Sequence, residues 1–516
     1  MTSTLPTVAR ADGPSTLDAF RVTQQLVDSA VPAVADIAVV EVAESALCEH
    51  TALSQACAEV GFRRAAFRGV HHAECAYRIG EACPVPSGTP YRRSIRDMRP
   101  RIVSQVPERA PWLKRDRVRA TVMRENGVHS LMVFPLTANR SVLGLVAFYR
   151  RRGSAPFRQT DLRAGAKLAQ QAAQTLGAIH RDLQEQGMGR RFQHILLAQP
   201  PHLTAIEDVN GHVPEKGAPG GWFDVIRLPS ARVGLVAGFC GGRGIAAAAA
   251  MSQQKAQIRA LAAQDMDPGE VLTRSLEPSA HEPDAQDPPS AEVHCVYAVY
   301  DPVTHRCTAA HTGLARLTVV DAGGARSIVP SAQAPTDLER CDVTELDVPP
   351  GSLLALSCAD PDELHQSAPG DHTPTTPAVT LTARARATEP TDIATWGLPN
   401  EPSAVADARA RAAAQLTSWG LPDLSFTVTL VVSELVTNAI RYSTGPIQLR
   451  LIRDHALICE VSDTSRAAPH AGEPAPSEQG GRGLSIVAHL TQGYGTRYTM
   501  SGKIVWTELS LYGADS

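Results

Sequence analysis

Apolar residues in the first third of the chain recur with two periods, which predicts a mixture of helix and strand. Spacings of three and four residues favour a helix over Leu17–Val31, whereas the short continuous run Ile37–Val42 favours a strand. Two longer apolar runs, Val128–Leu136 and Val142–Tyr149, lie on either side of the polar residues 137–140. Because a polar turn between two such runs is typical of a hairpin, we expect two neighbouring antiparallel strands here.

A long helix is predicted directly after this strand pair. Asp161 can cap its first turn, and apolar positions continue in helical spacing to about Gln186. The strand pair, followed by Pro156-Phe157 and then Asp161, resembles the end of a GAF sensory domain. The resemblance implies a GAF domain over 16–186 that includes the long connecting helix. Such domains bind small molecules, nucleotides or chromophores, or serve only to dimerise, so an unknown small-molecule ligand and a homodimer both stay open.

The middle of the chain predicts strands around one long helix. Gly220–Ile226 and Val233–Phe239 favour strands, Gly244–Ala263 favours a helix, and later strands are expected at Val296–Asp301 and Gly351–Leu356. The order and spacing of these segments resemble the PPM-type serine/threonine phosphatase domain of the sporulation stage II E family. That resemblance implies an α/β sandwich over 189–388.

The resemblance does not extend to the metal ligands. Active members of that family need aspartates that hold two divalent ions around a nucleophilic water. At two aspartate positions of the family this chain has Gly221 and Phe239, while Asp224 is retained and the later Thr-Asp-Gly is replaced at Ala359 and Asp360. Asp360 would substitute only after a one-residue slip, which also reorients the side chain. Since glycine and phenylalanine cannot ligate magnesium or manganese, we expect a pseudophosphatase with a degenerate site at these five positions.

Proline-rich and acidic stretches predict loops between and within the domains. Asp265–Ala291 is expected to be a mobile excursion of the middle domain, and Asp360–Pro377 a similar loop. Pro390–Asn400 is expected to link into the last domain, whose first long helix is predicted over Ser403–Trp419.

An apolar helix with two polar residues on one face is predicted near the end of the chain. Glu434 and Asn438 are four residues apart and therefore share a face. A carboxylate and an amide so placed can orient a water or hydroxyl and complete the oxygen shell of a magnesium ion that holds triphosphate oxygens. On this segment alone, an ordinary amphipathic helix with two solvated polar residues is the simpler interpretation. The residues predicted to line its buried face are Leu435, Val436, Ala439 and Ile440.

Two downstream segments change that interpretation. The alternating run Cys459–Ser465 predicts a strand that ends at Asp463, whose carboxylate can accept a hydrogen bond from an exocyclic amine such as that of adenine. Gly480–Val487 predicts a glycine-rich turn that opens a helix, whose first amide groups favour phosphate. Three such elements in this order within one domain indicate a nucleotide site.

The segment from Trp396 to Leu511 resembles the histidine-kinase-like ATPase fold of the GHKL group, specifically the bacterial anti-sigma-factor serine kinase branch. The resemblance implies a GHKL α/β sandwich over 393–513, bound ATP and Mg²⁺, and a final strand at Gly502–Leu509. This branch phosphorylates a serine of a small antagonist protein, so the phosphoacceptor need not lie in the same chain. The implied partners are an anti-sigma antagonist of STAS-like type and a sigma factor.

The same resemblance assigns roles to single residues. It implies a base or water-orienting role for Glu434, a magnesium-ligand and ATP-binding role for Asn438, and an adenine contact for Asp463. It also implies that a short lid over the phosphates is formed by Gly481, Arg482 and Gly483.

The composition limits the number of domains, the cellular location and the classes of partner that we expect. A chain of 516 residues is expected to form roughly three domains of about 150 residues each. With 43% hydrophobic residues and a formal charge of -4, it can build cores and has no basic bias towards nucleic acid or anionic membrane. We expect no membrane span and no secretory signal, and hence a cytoplasmic protein without direct nucleic-acid contact. Its 10 cysteines are scattered, which favours buried thiols over disulfides.

The sequence therefore predicts a multidomain α/β and α+β regulator of partner-switching type. In the favoured interpretation its last domain binds Mg-ATP and phosphorylates a serine or threonine of an antagonist protein, while the first two domains regulate it. Two alternatives stay open: a metal-dependent phosphatase of the same pathway, and a non-catalytic ATP-binding scaffold that sequesters a sigma factor.

Overall fold

The computed structural model describes residues 14–47, 61–70, 73–197, 201–214, 220–277, 293–328, 341, 343–358, 379–466, 483–499 and 501–511. The chain divides into two compact units, Met1–Met188 and Gly189–Ser516.

The first unit is built on a six-stranded antiparallel sheet of order β3-β2-β1-β6-β5-β4. The expected hairpin is confirmed, because β5 and β6 pair around Asn139 and Arg140, both of which have positive φ as a tight hairpin turn requires. The strands are β1 (Ile37–Ala43), β2 (Phe62–Gly69), β3 (Ala82–Cys83), β4 (Arg101–Val103), β5 (Val128–Ala138) and β6 (Ser141–Arg151). Along the described residues, the helices up to 197 are α1 (Pro14–Ala30), α2 (Pro90–Asp97), α3 (Arg117–Glu125) and α4 (Asp161–Leu196).

Each face of this sheet has its own apolar core. Val27 of α1 and Leu176 of α4 pack with Phe148 on one face. On the other face, Tyr91 of α2 and Met123 of α3 pack in a second cluster. The sheet is therefore a middle layer between two helical layers.

Helix α4 is longer than the sequence predicts. It continues to Leu196, ten residues beyond the expected end at Gln186. Gly187 lies within it and does not end it, because a glycine in a helix interior costs only about 1 kcal/mol relative to alanine. Asp161 is its first residue, and its carboxylate accepts a hydrogen bond from the backbone N–H of Arg158 (2.7 Å).

In the second unit, two five-stranded antiparallel sheets face each other, with orders β14-β11-β10-β9-β8 and β13-β12-β15-β16-β7. We call this part the sandwich domain. The apolar core between the sheets includes Leu235 and Ala298 from the first sheet and Leu354 and Leu381 from the second. Its strands are β7 (Ile206–His212), β8 (Gly221–Arg227), β9 (Val233–Cys240), β10 (Val293–Asp301), β11 (Arg306–Thr312), β12 (Ala315–Asp321), β13 (Gly324–Ile328), β14 (Val343–Asp347), β15 (Leu353–Cys358) and β16 (Val379–Ala385).

Helices α5 (Gly244–Ala262) and α6 (Pro268–Leu276) cover the outer face of the first sheet. Helix α6 corrects the prediction that all of Asp265–Ala291 is a mobile excursion. Asp267 caps this helix by accepting a hydrogen bond from the N–H of Gly269 (2.9 Å), and a proline is favourable at the first helical position. The later part of that stretch, and all of Asp360–Pro377, lies outside the described residues.

The last domain is a five-stranded antiparallel sheet of order β17-β18-β19-β21-β20, with three helices packed in its core. Ile393–Leu398 forms edge strand β17, which corrects the prediction of a linker over Pro390–Asn400. The remaining strands are β18 (Ile447–Arg453), β19 (Leu457–Asp463), β20 (Gly493–Thr499) and β21 (Gly502–Leu509), and the helices are α7 (Ala404–Ser418), α8 (Ser425–Tyr442) and α9 (Gly483–Leu490).

One helix among the described residues, Pro422–Tyr442, is long and apolar enough to cross a membrane by length and composition. It comprises α8 and the turn before it. Val428, Val432 and Val436 of this helix are fully buried in the core of the last domain. Packing within the fold therefore accounts for these valines, whereas Phe426 of the same helix is exposed.

A buried chain of alternating charges joins the sandwich domain to the last domain. Asp265 pairs with Arg232 of the sandwich domain and lies 3.7 Å from Arg497 of β20. Arg497 in turn donates to Glu460 (3.0 Å), which also pairs with Arg450 (3.2 Å). Because removal of one partner leaves a buried charge uncompensated, these contacts fix how the two domains meet.

A pH-sensitive contact lies beside this network. The imidazole of His455 is 2.8 Å from Asp454 and 3.8 Å from Glu508, and these two carboxylates raise its pKa to about 9. Asp454 also accepts a hydrogen bond from Thr204 of the sandwich domain, and Glu508 accepts one from the N–H of Ser230 (3.2 Å).

We expect the stability of this contact to fall as pH rises. Since the folded-state pKa of His455 exceeds the unfolded value of 6.5, its stabilisation is complete below pH 6.5 and is lost as pH rises through about 9. Urea midpoints of wild type and His455→Gln, measured from pH 6 to pH 9.5, should differ most at the acidic end and converge at the alkaline end. A difference that stays constant with pH would contradict the assignment.

Candidate functional site

Helix α8 places Glu434 and Asn438 on its half-buried side. Its other side is apolar and fully buried at Val432 and Val436, so packing sets which face remains open. Glu434 and Asn438 are both half-buried, one helical turn apart. Within the described residues, neither side chain makes a hydrogen bond or an ion pair, so both polar ends are available to a ligand.

Asp463 lies at the end of β19 and is only 6% exposed. Its Oδ1 accepts hydrogen bonds from the N–H of Ser465 (2.7 Å) and from Nζ of Lys503 (3.2 Å). Lys503 is itself buried and is the cross-strand partner of Asp463 on β21. These contacts hold the carboxylate in one orientation and leave Oδ2 to accept a hydrogen bond from a ligand.

A glycine beside Asp463 is required by close backbone approach. A Cβ at Gly502 would lie 1.9 Å from the carbonyl oxygen of Asp463, far inside van der Waals contact. Any other residue at position 502 would therefore displace the end of β19 and the carboxylate with it.

The end of α8 is fixed against the turn that follows Asp463. Ser443, directly after the helix, lies 3.1 Å from Thr464 between their hydroxyl oxygens, and Asn400 donates to its carbonyl (2.7 Å). A Cβ at Gly445 would lie 2.4 Å from the hydroxyl of Thr464. These contacts bring the end of α8 and the end of β19 to the same side of the domain.

Helix α9 completes the arrangement. It begins at Gly483, and its Val487 packs in the same core cluster as α8. Gly481 and Arg482, the first two residues of the predicted lid, lie outside the described residues. The structure thus brings together the end of α8 and the end of β19, and α9 packs against α8. The role of Lys503 was not predicted from the sequence. The feature that could have indicated it is the position of a charged residue within an apolar strand.

In the sandwich domain, the two positions at which the phosphatase family has aspartates and this chain does not are paired across neighbouring strands. Gly221 of β8 and Phe239 of β9 are cross-strand partners. Phe239 is 2% exposed and packs in the apolar core between the two sheets. Ala359 and Asp360 lie outside the described residues.

The retained Asp224 points to the opposite face of the same sheet. Residues alternate between faces along β8, and the neighbours of Asp224 at positions 222 and 226 pack in the cluster that contains α5. Arg259 of α5 binds the carboxylate of Asp224 through two nitrogens, and Nζ of Lys255 lies 3.8 Å away. Asp224 is thus an ion-pair partner of α5. Among the described residues, no group of three or more His, Cys, Asp and Glu side chains is arranged to hold a metal ion.

Three family models match the chain, one for each expected domain. The GAF domain model matches residues 31–176, the model of stage II sporulation protein E (SpoIIE) matches residues 229–358, and that of the histidine kinase-like ATPase domain matches residues 398–508. The predicted domain types and the multidomain α/β and α+β fold class are confirmed. No curated protein matches the chain at a significant level.

Solved structures of all three domain types are similar to parts of this chain. The RsbU and RsbW domains of Rv1364c from Mycobacterium tuberculosis are 18% identical over 60% of this chain and 95% of that chain, with a TM-score of 0.29. The phosphatase domain and a regulatory fragment of SpoIIE from Bacillus subtilis are 10% identical over 35% and 63%, with a TM-score of 0.28. The second GAF domain of DevS from Mycobacterium smegmatis is 18% identical over 31% and 94%, with a TM-score of 0.23.

Proposed function

Since this chain carries a GAF domain, a stage II sporulation protein E domain and a histidine kinase-like ATPase domain, we propose that it is a signal-transduction regulator of partner-switching type. Its last domain, 393–513, binds Mg-ATP and phosphorylates a serine or threonine of a small antagonist protein. The domains at 16–186 and 189–388 regulate that reaction. The observation that carries the proposal is the pair Glu434 and Asn438 on α8, beside the end of β19, whose side chains have no partner among the described residues.

The residues around α8 suit a magnesium nucleotide. The amide oxygen of Asn438 is a ligand that magnesium accepts, and the free Oδ2 of Asp463 suits the amine of adenine. Gly483, at the start of α9, allows its backbone amide group to approach phosphate oxygens. Bound magnesium would neutralise charge on the phosphates, which is the main requirement of phosphoryl transfer.

Glu434 is the proposed base. A serine hydroxyl of the partner attacks the γ-phosphorus: its oxygen forms the new bond to phosphorus, the bond from phosphorus to the β,γ-bridging oxygen breaks, and the hydroxyl proton passes to the Glu434 carboxylate. The products are ADP and a phosphoserine. We propose an antagonist of STAS-like type as the acceptor and a sigma factor as the protein whose availability changes.

We expect Glu434→Gln to separate binding from transfer. The amide keeps the size and polarity of the side chain but cannot accept a proton, so ATP affinity should stay within about threefold while transfer falls about 10²- to 10⁴-fold. The measurement is transfer of label from γ-labelled ATP to candidate antagonist proteins that co-purify with the full chain. Glu401→Gln, an exposed glutamate before α7, is the matched control and should transfer label like wild type.

Equal labelling by wild type and Glu434→Gln would contradict the base assignment. ATP binding with no transfer to any co-purifying protein would favour the scaffold that sequesters a sigma factor.

The phosphatase alternative is disfavoured by the geometry of the sandwich domain. A phosphatase would need carboxylates on one side of the sheet, whereas Asp224 is held by α5 on the face opposite to Phe239. Manganese-dependent removal of phosphate from a phosphorylated antagonist, abolished by Asp224→Asn, would restore that alternative.

A further inference from the structure

A strongly basic segment covers one face of the sheet in the first unit. It runs from Pro90 to Glu125 and includes α2, a 3₁₀ turn at Pro111–Arg115, and α3. We call it the basic segment. It contains eleven lysine and arginine residues against four aspartate and glutamate residues, which gives a formal charge of +7, compared with -4 for the whole chain. The remainder of the chain is therefore acidic, and positive charge is concentrated here.

The apolar residues of the basic segment determine where its charges project. Tyr91 of α2, Leu113 of the turn and Met123 of α3 pack in one cluster against the sheet. Because all three elements bury apolar residues on the same sheet face, their exposed side chains project from the outer side. The exposed cations of the segment are Arg93, Arg96, Arg99, Arg109, Lys114, Arg115, Arg117 and Arg124. They form one basic surface.

Most of these cations have no carboxylate partner. Arg96 pairs with Asp97 (3.0 Å), whereas Arg115 and Arg124 donate to backbone carbonyls, which are neutral acceptors. Within the described residues, the other five make no ion pair and no side-chain hydrogen bond: Arg93, Arg99, Arg109, Lys114 and Arg117. Since like charges so placed repel one another, a bound polyanion would relieve this repulsion.

The one buried arginine of the basic segment is treated differently. Arg119 is 4% exposed and donates to Glu41 (2.9 Å), which also accepts from Arg64 (2.9 Å). Its Nε lies 3.1 Å from a carboxylate oxygen of Asp116. A cation that belongs to the packing of the first unit is thus matched by carboxylates, as buried charges require. The unmatched cations are those that face outwards.

The residue types on this surface favour phosphate groups. Ten of the eleven cations are arginines, whose planar guanidinium group binds phosphate through two hydrogen bonds. The surface has little apolar character, because its exposed large apolar residues are Met98 and Val118. Its aromatic residues, Tyr91 and Trp112, pack edge to face at 6.1 Å. Protein interfaces are depleted of charge at their centre and enriched in aromatic residues, and helices that bind a membrane surface need an apolar face, whereas interfaces with nucleic acid are polar and positively charged.

We propose that the outer surface of the basic segment binds the phosphate backbone of duplex nucleic acid. The expectation of no nucleic-acid contact rested on the net charge of the whole chain, which averages this segment with an acidic remainder. Five unpaired cations correspond to about four or five phosphate contacts. Contacts to the backbone carry no base sequence, so binding is independent of sequence. The surface lies in the first unit and shares no residue with the nucleotide site proposed for the last domain.

The test uses the full chain and a fluorescently labelled DNA duplex of about 20 base pairs. Fluorescence anisotropy measures the affinity, and EDTA in the buffer removes magnesium, so that the proposed ATP site does not contribute. Since each neutralised phosphate releases about 0.9 counterion, the affinity should fall about 100-fold between about 50 mM and about 150 mM KCl. A duplex of scrambled sequence should bind equally well.

A double variant locates the binding surface. Arg93→Gln/Arg117→Gln removes one unpaired cation from each of α2 and α3, and both side chains are exposed. The affinity should fall at least tenfold at about 50 mM KCl, and the slope of log affinity against log salt should become smaller by about two, one for each lost contact. The matched control, Arg316→Gln/Arg409→Gln, removes two arginines of the second unit that are exposed and have no partner among the described residues. It should bind like wild type.

Loss of affinity in Arg93→Gln/Arg117→Gln, with an unchanged circular dichroism spectrum, supports the site. Failure of wild type to bind the duplex, or an equal loss of affinity in the control, would overturn it. Tighter binding to polyglutamate or to phosphatidylglycerol vesicles than to the duplex, at equal concentration of anionic groups, would also overturn it, because the partner would then be an acidic protein or a membrane.

Discussion

Asn438→Ala is expected to weaken binding of Mg-ATP to the full chain about 100-fold, which corresponds to about 2.8 kcal/mol. The side chain lies on the half-buried face of α8, where no described residue occupies its amide, so its removal should not disturb the core. In the proposed site, the substitution removes an oxygen ligand of the metal that holds the phosphates. Titration calorimetry with ATP in excess magnesium measures the affinity.

Metal dependence gives this test its specificity. Chelation of magnesium should lower the ATP affinity of wild type to about that of Asn438→Ala and should change the variant little. The matched control is Gln415→Ala on neighbouring α7, which also removes a half-buried amide and should bind ATP like wild type. If Asn438→Ala retains a tenfold or larger response to magnesium, the residue is not the metal ligand.

Asp463→Ala is expected to lower the free energy of unfolding of the last domain by about 3–5 kcal/mol, because it leaves the ammonium group of Lys503 buried without a partner. The double variant Asp463→Ala/Lys503→Met should recover most of that loss, since an apolar side chain of similar length replaces the uncompensated charge. Urea unfolding monitored by far-ultraviolet circular dichroism measures both effects.

The same pair of variants separates the structural role of Asp463 from its proposed contact with adenine. The double variant should remain folded yet lose the preference for ATP over GTP, because no carboxylate accepts a hydrogen bond from the adenine amine. A stable double variant that still prefers ATP would limit Asp463 to the ion pair with Lys503. Failure of the double variant to recover stability would instead show that the carboxylate stabilises the fold through Ser465.

The spacing of apolar and polar residues was sufficient to predict helices and strands whose buried and exposed faces depend on a single segment of the chain. The split of α8 into an apolar side and the side of Glu434 and Asn438 follows from helical spacing, and the last strand has the bounds expected from its sequence, Gly502–Leu509. The partner of Asp463 could not be predicted, because Lys503 lies 40 residues further on and the pair depends on the register of β19 and β21. Strand register is set by tertiary packing as well as by pattern.

The buried charges of the first unit were missed for a similar reason. Glu41, Arg64 and Arg119 come from three separate segments, and each alone resembles a solvated surface residue. The one local signal was Glu41, a carboxylate within the otherwise apolar run of β1. For Asp224 the family resemblance was misleading. It suggested a metal ligand, whereas the alternation of residues along β8 places Asp224 on the face of the sheet opposite to Phe239.

The pairing of Gly221 with Phe239 across β8 and β9 determines what a single substitution to aspartate at either position would do. An aspartate introduced at position 239 alone would stand without a partner in the apolar core, at a cost of several kcal/mol. One introduced at position 221 alone would gain no second ligand from β9. A metal site at this pair of positions therefore requires both aspartates together, because neither substitution alone supplies two ligands.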